Sequence, residues 1–156
     1  MKKLIFSLIS ALLFISVTPD VASAQSPDTK IEYFNDGSYL VTYITEISDF
    51  SNITTYAATT KTKTKTANYY NSSNELLWFV QVKGTFTYGN GSSKCTASEV
   101  NAGSYNSHWK LSNKSASKSG NSATASVTAK LYSGSEVFQT LHKSVTLSCS
   151  PTGQFS

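Results

Sequence analysis

The sequence predicts an all-β chain, an antiparallel two-sheet sandwich, immunoglobulin-like, of about eight strands behind a cleaved N-terminal signal helix. Three observations predict it. Leu76–Tyr88, LLWFVQVKGTFTY, is a run of aromatic and β-branched residues bracketed by Asn71-Ser72-Ser73-Asn74 and Gly89-Asn90-Gly91-Ser92-Ser93, the pattern of a strand between turns. Period-2 alternation recurs at short spacing along the chain, with no helical period after the signal. Serine and threonine fill the polar positions of a chain that is 12% aromatic and 14% charged, which suits an all-β surface and not disorder.

The first 24 residues read as a signal peptide. Lys2 and Lys3 form a positive start, Leu4–Val17 is apolar apart from serines, and Ala22-Ser23-Ala24 supplies the small-residue site, so cleavage is expected between Ala24 and Gln25. The apolar run is too short for a membrane span, which needs about 20 residues, so the mature chain is expected to be released and extracellular. It retains 11 lysines against 8 carboxylates, a net of +3, with no arginine. That bias favours weak attraction to anionic surfaces and does not point to nucleic acid.

Residues 25–30 read as a frayed terminus and 31–150 as one domain, with 151–156 as a tail. Ile31–Phe34 and Tyr39–Ile47 flank Asn35-Asp36-Gly37-Ser38, a hairpin signal. With Asp36 and Gly37 at the turn centre, Tyr33 would face Leu40 and Ile31 would face Thr42. Ser48–Thr55 reads as a connection. Lys61-Thr62-Lys63-Thr64-Lys65-Thr66 alternates strictly, which puts the lysines on one face. They suit either an edge strand protected against pairing or a cationic stripe for an anionic partner. In the next strand Trp78, Val80 and Val82 share one face, while Leu77 and Phe79 occupy a face that turns polar from Gln81 onward. Coverage of Leu77 and Phe79 by the hairpin around Tyr33, Leu40 and Tyr43 is expected; exposed, they would form a binding patch.

Lys94–Val100 is a short strand with Cys95, Asn101–Ser107 a loop, His108–Asn113 a strand with Trp109 and Leu111, and Lys118–Asn121 a turn. Ser122–Tyr132 alternates Ala123, Ala125, Val127, Ala129 and Leu131 with hydroxyls and lysine. After Ser133-Gly134-Ser135, Glu136–Cys149 places Val137, Leu141, Val145, Leu147 and Cys149 on one face, and Pro151 ends it. The expected core is Trp78, Val80, Val82, Phe86, Trp109, Val127, Leu131, Leu141, Val145 and Leu147.

Two cysteines in an exported chain are most simply one bridge, Cys95–Cys149, closing a separation of 54 residues (149 − 95). On the chain-entropy argument such a bridge adds up to ~4 kcal/mol. Catalytic chemistry is hard to assemble. His108 and His142 are the only histidines, and serine is so abundant that a Ser–His pair carries little information. The mature carboxylates Asp28, Glu32, Asp36, Glu46, Asp49, Glu75, Glu99 and Glu136 are scattered, without an acid–base pair. Metal-ligand clusters and phosphate-cradling glycine loops are lacking, so no cofactor and no metal are expected. Asn-x-Ser/Thr triplets at Asn52, Asn71, Asn90 and Asn113 are expected by chance at this Ser/Thr content.

Ile31–Thr42 (IEYFNDGSYLVT), Tyr69–Trp78, Val82–Tyr88, the cysteine pair and Ser115–Gly120 (SASKSG) together resemble a group of small exported proteins of Gram-positive bacteria. The group has no assigned function, so the resemblance implies a secreted β-rich domain and transfers no activity or site. The function expected from the sequence is a secreted, non-catalytic binding module acting outside the cell on a glycan, an anionic wall polymer or a protein surface. Lys61, Lys63, Lys65, Leu77 and Phe79 are the candidate patch; no nucleic acid and, in the mature form, no membrane is expected. An effector (a toxin or enzyme inhibitor) acting through Asn101–Ser107, or a hydrolase using His108 or His142, are the alternatives.

Overall fold

The structure, a computed structural model, describes residues 29–46 and 58–156. The signal segment with its Ala24/Gln25 cleavage point and the connection expected over Ser48–Thr55 lie outside the described residues. Within them the chain forms strands β1 (Lys30–Tyr33), β2 (Tyr39–Glu46), β3 (Thr59–Tyr70), β4 (Leu76–Gly89), β5 (Ser92–Ser104), β6 (Trp109–Ser119), β7 (Ser122–Ser133) and β8 (Glu136–Ser148). They make two antiparallel sheets, β1-β2-β3-β4-β5 and β6-β7-β8, the sandwich that the alternation predicts. Each sheet runs in chain order, and the chain changes sheet at residues 105–108. An immunoglobulin sandwich uses Greek-key connections, so the likeness lies in the layers and not in the strand order.

The two layers meet through residues of complementary size. On β4 the even-numbered residues Trp78, Val80, Val82, Gly84 and Phe86 face inward and are buried. Opposite them lie Ala123, Ala125, Val127 and Ala129 of β7 and Val145 and Leu147 of β8, also buried. Large rings on one sheet against alanines on the other keep the layers close without voids. Gly84 belongs to this fit, because a Cβ there would lie 2.5 Å from the Phe86 ring and 3.0 Å from Ala123. Tyr69 stacks on Trp78 (centroids 5.0 Å, 16°) and meets Trp109 edge-on at 5.4 Å, which ties β3, β4 and β6 together. Leu131 and Leu141 of the expected core are half-buried against this cluster.

The hairpin departs from the expected register. Tyr33 pairs with Tyr39, Glu32 with Leu40 and Lys30 with Thr42. Gly37 alone takes a positive φ (81°), Gly37 N donates to Phe34 O and Phe34 N donates to Ser38 O. The turn thus has three residues rather than two, and only one of them is left-handed. A one-residue slip exchanges faces: Leu40 goes into the core at 3% exposure. Three further expectations are corrected. β3 is the central strand of its sheet, so the lysines do not guard an edge. β5 runs to Ser104 and β6 to Ser119, because bulges at Thr85/Phe86 and Ser112/Ser115 absorb the breaks in alternation. Another bulge, at Leu131/Tyr132, turns Val137 off the core face and leaves it 47% exposed.

The expected Cys95–Cys149 bridge is not formed in the structure. Cys95 and Cys149 are both buried and unpaired. Each thiol is directed to a carbonyl close by in the chain, Cys95 Sγ to Ala97 O at 3.2 Å and Cys149 Sγ to Ser150 O at 3.4 Å. Their backbones nevertheless meet the same β6–β7 turn, Cys95 N donating to Gly120 O and Cys149 N to Asn121 O.

A polar relay, buried at Tyr69 and Ser38 and exposed at Asp36, joins the hairpin to the core. Tyr69 Oη donates to Ser38 Oγ (2.8 Å), and Ser38 Oγ and N both donate to Asp36 Oδ1 (2.6 and 3.0 Å). The Ser38 hydroxyl, then its amide, hold the Asp36 carboxyl below its usual range, while burial pushes the Tyr69 phenol up. A depressed carboxyl adds stability that is present above its unfolded value and is lost as pH falls through its folded value. Ser38→Ala should therefore destabilise at pH 7 by about 1–3 kcal/mol, since it orphans the buried Tyr69 hydroxyl. It should also flatten the loss of stability below about pH 4 that Asp36 contributes. Urea melts of both proteins at pH 7 and pH 3 measure this; equal acid losses in the two would remove Asp36 from the account.

Candidate functional site

With the large inward positions committed to the core, the outer face of the five-stranded sheet carries a second group of aromatic residues. Residues opposite each other across a ladder share a face, so the registers fix its rows. One row runs Tyr33, Tyr39, Tyr70; the next runs Ile31, Val41, Asn68, Phe79, Gly103; a third runs Tyr43, Thr66, Gln81, Asn101. These three rows carry no charged residue. Charge enters beyond them, with Lys83 of β4 paired to Glu99 of β5 at 3.5 Å.

The rings are ordered by one another. Tyr39 stacks on Tyr70 with centroids 5.1 Å apart and 12° between planes, and Tyr33 lies 5.7 Å from Tyr39. Phe79 extends over Gly103, where a Cβ would come within 2.8 Å of its ring, and reaches Tyr105 at 5.9 Å. Tyr33 and Tyr105 are 73% and 68% exposed. The amides sit between the rings. Asn68 Nδ2 donates to Tyr43 Oη (3.5 Å) and Tyr70 Oη (3.4 Å), Gln81 Nε2 donates to Thr66 Oγ1 (2.8 Å), and Tyr39 Oη donates to Asn74 Oδ1 (3.0 Å). The two Asn68 contacts are at the long limit for hydrogen bonds, so that amide can be redirected at small cost. The arrangement offers stacking surfaces interleaved with neutral donors and acceptors across five strands, and no group set to make or break a covalent bond.

Among the sequence-derived candidates, Phe79 belongs to this face. Leu77 sits at the Tyr69/Tyr70 irregularity, half-buried against the core, and its carbonyl accepts from Tyr105 N (2.9 Å). The hairpin extends the sheet and does not fold over these two residues, so what covers Phe79 is Tyr105. Lys61, Lys63 and Lys65 pair with Phe86, Gly84 and Val82 and therefore lie on the inner face, opposite Phe79. Lys63 is ion-paired to Glu46 at 2.6 Å and sits 4.5 Å over the Phe155 ring, and it holds the Glu46 carboxyl below its usual range. The candidate patch is thus divided between two faces. His108 lies exposed in the 105–108 connection. His142 is also exposed, on β8, with Nδ1 3.1 Å from Thr128 Oγ1 in a row of cross-strand hydroxyl pairs, Ser122–Ser148, Thr124–Thr146 and Ser126–Ser144, at 2.8–2.9 Å. These hydroxyls satisfy each other on a wet face. No group of three or more His, Cys, Asp or Glu able to hold a metal is found among the described residues.

Sequence reasoning missed Tyr39, Tyr43, Asn68, Tyr70 and Gln81, and reached Tyr105 only as part of the Asn101–Ser107 loop. The signal was present as alternation, Tyr39-x-Val41-x-Tyr43 on β2 and Asn68-x-Tyr70 on β3, but the slipped hairpin register hid that these faces coincide. Comparison with protein-family models, with curated proteins and with solved structures gives no match.

Phe79 and Trp78, neighbours on opposite faces, separate surface from core. Phe79→Ala should destabilise by about 1–2 kcal/mol, in keeping with partial burial. Trp78 is wholly buried, and Trp78→Ala should cost about 3–5 kcal/mol. Urea midpoints at constant m-value provide the comparison; equal losses would mean that Phe79 is a core residue.

Proposed function

We propose that the protein is a secreted, non-catalytic binding module that holds a neutral glycan chain on the outer face of its five-stranded sheet. The observation that carries this is the uncharged platform of Tyr33, Tyr39, Tyr70 and Phe79 interleaved with Asn68, Gln81 and Asn101. Sugar rings present one apolar face and a rim of hydroxyls, and such a surface suits both: rings stack on the first, amides bond the second. The absence of charge from the three rows argues against a charged polymer at this place. Protein partners are usually gripped by a desolvated anchor in a pocket, whereas Tyr33 and Tyr105 on this face stand well exposed. Resemblance to exported proteins and the signal-like first 24 residues support action outside the cell.

The pair Tyr39→Ala and Tyr70→Ala should abolish binding to a soluble neutral glucan or chito-oligosaccharide while shifting the melting temperature by only a few degrees, as half-buried positions do. Titration calorimetry against such oligomers, and against polyuronate as the charged counterpart, measures it. Retained affinity in the double variant, or preference for the polyuronate, would sink the proposal.

Export also bears on the cysteines. We infer that in an oxidising compartment Cys95 and Cys149, whose backbones both meet the β6–β7 turn, turn away from their local carbonyls and form the Cys95–Cys149 bridge. Burial pushes the Cys95 thiol up, and exchange needs the thiolate, so the bridge forms before the core closes. Protein refolded under oxidising conditions should contain no free thiol and melt higher than the reduced form, by an amount equivalent to as much as ~4 kcal/mol. Reduced protein should react slowly with a thiol reagent until denatured. Two fast-reacting thiols after oxidative refolding would exclude the bridge.

A further inference from the structure

Beyond β8 the chain turns and runs back along the edge of that strand away from β7. Ser148 and Ser156 exchange both backbone hydrogen bonds (2.9 and 3.1 Å), Cys149 bridges Phe155 in antiparallel register, and Ser150 N donates to Gln154 O at 2.8 Å. One side chain anchors the returning arm. Phe155 meets the buried Phe86 edge-on at 5.4 Å and Tyr88 at 6.5 Å, with the Lys63 ammonium 4.5 Å over its ring. The turn is closed by Gly153 N donating to Ser150 O, and Gly153 takes a φ of 81° there. Pro151 and Thr152 are exposed. The arm is thus a short strand held by a few backbone bonds and one ring, on a hinge of three residues.

The pairs Ser148–Ser156, Cys149–Phe155 and Ser150–Gln154 are all centred on Thr152. An antiparallel ladder centred on one residue is unchanged by a two-fold axis through that residue. The arm of one copy can therefore lie on the β8 edge of another with every pairing kept. With the hinge open, the chain runs straight from Ser148 to Ser156, and two such segments form a ribbon. Even-numbered residues occupy its hydrogen-bonded positions, so Thr152 exchanges two new bonds with its counterpart in the second copy. Pro151 falls on a position that makes no ladder bond, where its missing N–H costs nothing. Gly153 lies opposite it, without a side chain to crowd the ring, and is released from its left-handed φ.

We propose that the β8 edge at Ser148–Ser150 and the notch between Phe86, Tyr88 and Lys63 are a docking site for residues 151–156 of a second copy of this chain. Exchange of the arm gives a two-fold dimer. The closed and exchanged forms share these contacts outside the hinge, so the hinge and the protein concentration set the balance between them. The aromatic platform lies on the opposite face of the large sheet and takes no part, so the exchange is independent of glycan binding.

The test is to refold the mature chain at rising concentration, with thiols kept reduced so that no interchain bridge contributes, and to follow its size by analytical ultracentrifugation. The dimer fraction should rise with concentration, and the dimer should revert slowly on dilution because each arm must first unseat. Thr152 is exposed in the single copy but faces its counterpart in the ribbon, so a charge placed there acts on the dimer. Thr152→Lys and Thr152→Glu should each melt close to the parent and dimerise several-fold less readily. Refolded together, with one isotope-labelled, they should form mixed dimer beyond random pairing when counted by native mass spectrometry. Phe155→Ala should lower the dimer yield at least tenfold. Monomer alone at every concentration, dimers indifferent to the charges at residue 152, or a dimer that Phe155→Ala leaves intact would overturn the proposal.

Discussion

The stack of Tyr69 on Trp78, with Trp109 set against both, is the contact on which the rest of the molecule depends. It joins the central strand of the large sheet, its neighbour, and the first strand of the small sheet in one buried cluster. Because these rings fill the space between layers, the opposing strand β7 can present little more than alanine and valine there, and the sandwich is fixed at a spacing that a larger residue would force apart. The Tyr69 hydroxyl brings a requirement of its own. It is buried, and Ser38 and Asp36 of the β1–β2 turn meet it, so the terminal hairpin is fixed in register by a core residue three strands into the sequence.

That register decides what faces outward. Once Leu40 and Tyr69 point in, Tyr39, Val41, Tyr43, Asn68 and Tyr70 must point out, since side chains alternate along a strand. The platform is a consequence of the core and not an independent addition. Its polar character follows from the same logic. No further layer covers this face among the described residues, so continuous hydrocarbon there would be an aggregation surface. Tyrosine, asparagine and glutamine give stacking area and stay compatible with water.

Much of the architecture was legible in the alternation. The strands β4 from Trp78 onward, β7 and most of β8 carry period-2 patterns, and Trp78, Val80, Val82, Phe86, Trp109, Val127, Val145 and Leu147 are buried as that pattern requires. What was not legible came from positions where one residue is gained or lost. Asp36-Gly37 reads equally as a two-residue turn or as part of a three-residue one, and the choice moved every outward residue of the hairpin by one. The bulge at Leu131/Tyr132 did the same for Val137. Strand order was equally hidden: alternation says that Lys61, Lys63 and Lys65 share a face, but it does not say whether the strand is central or which side the second layer takes. The candidate site suffered most, because a surface made by five strands exists only when all their registers are right.

The unequal sheets account for the lysines. A three-stranded layer cannot cover five strands, so part of the inner face of the larger sheet must meet water while the rest is core. Side chains at that border need an apolar stem for one environment and a charged head for the other, and lysine has both. Lys63 shows the adaptation directly, its ammonium over the Phe155 ring and against Glu46. Along β3 the border is crossed in steps of two residues, from Tyr69 and Ala67, which are buried, to Lys65, half-buried, and Lys61, exposed. A gradient of this kind concentrates positive charge at the mouth of the gap and not along a free edge. The strand that carries the lysines inward carries threonines and Asn68 outward in strict alternation, so its own side chains are charged on one face and neutral on the other.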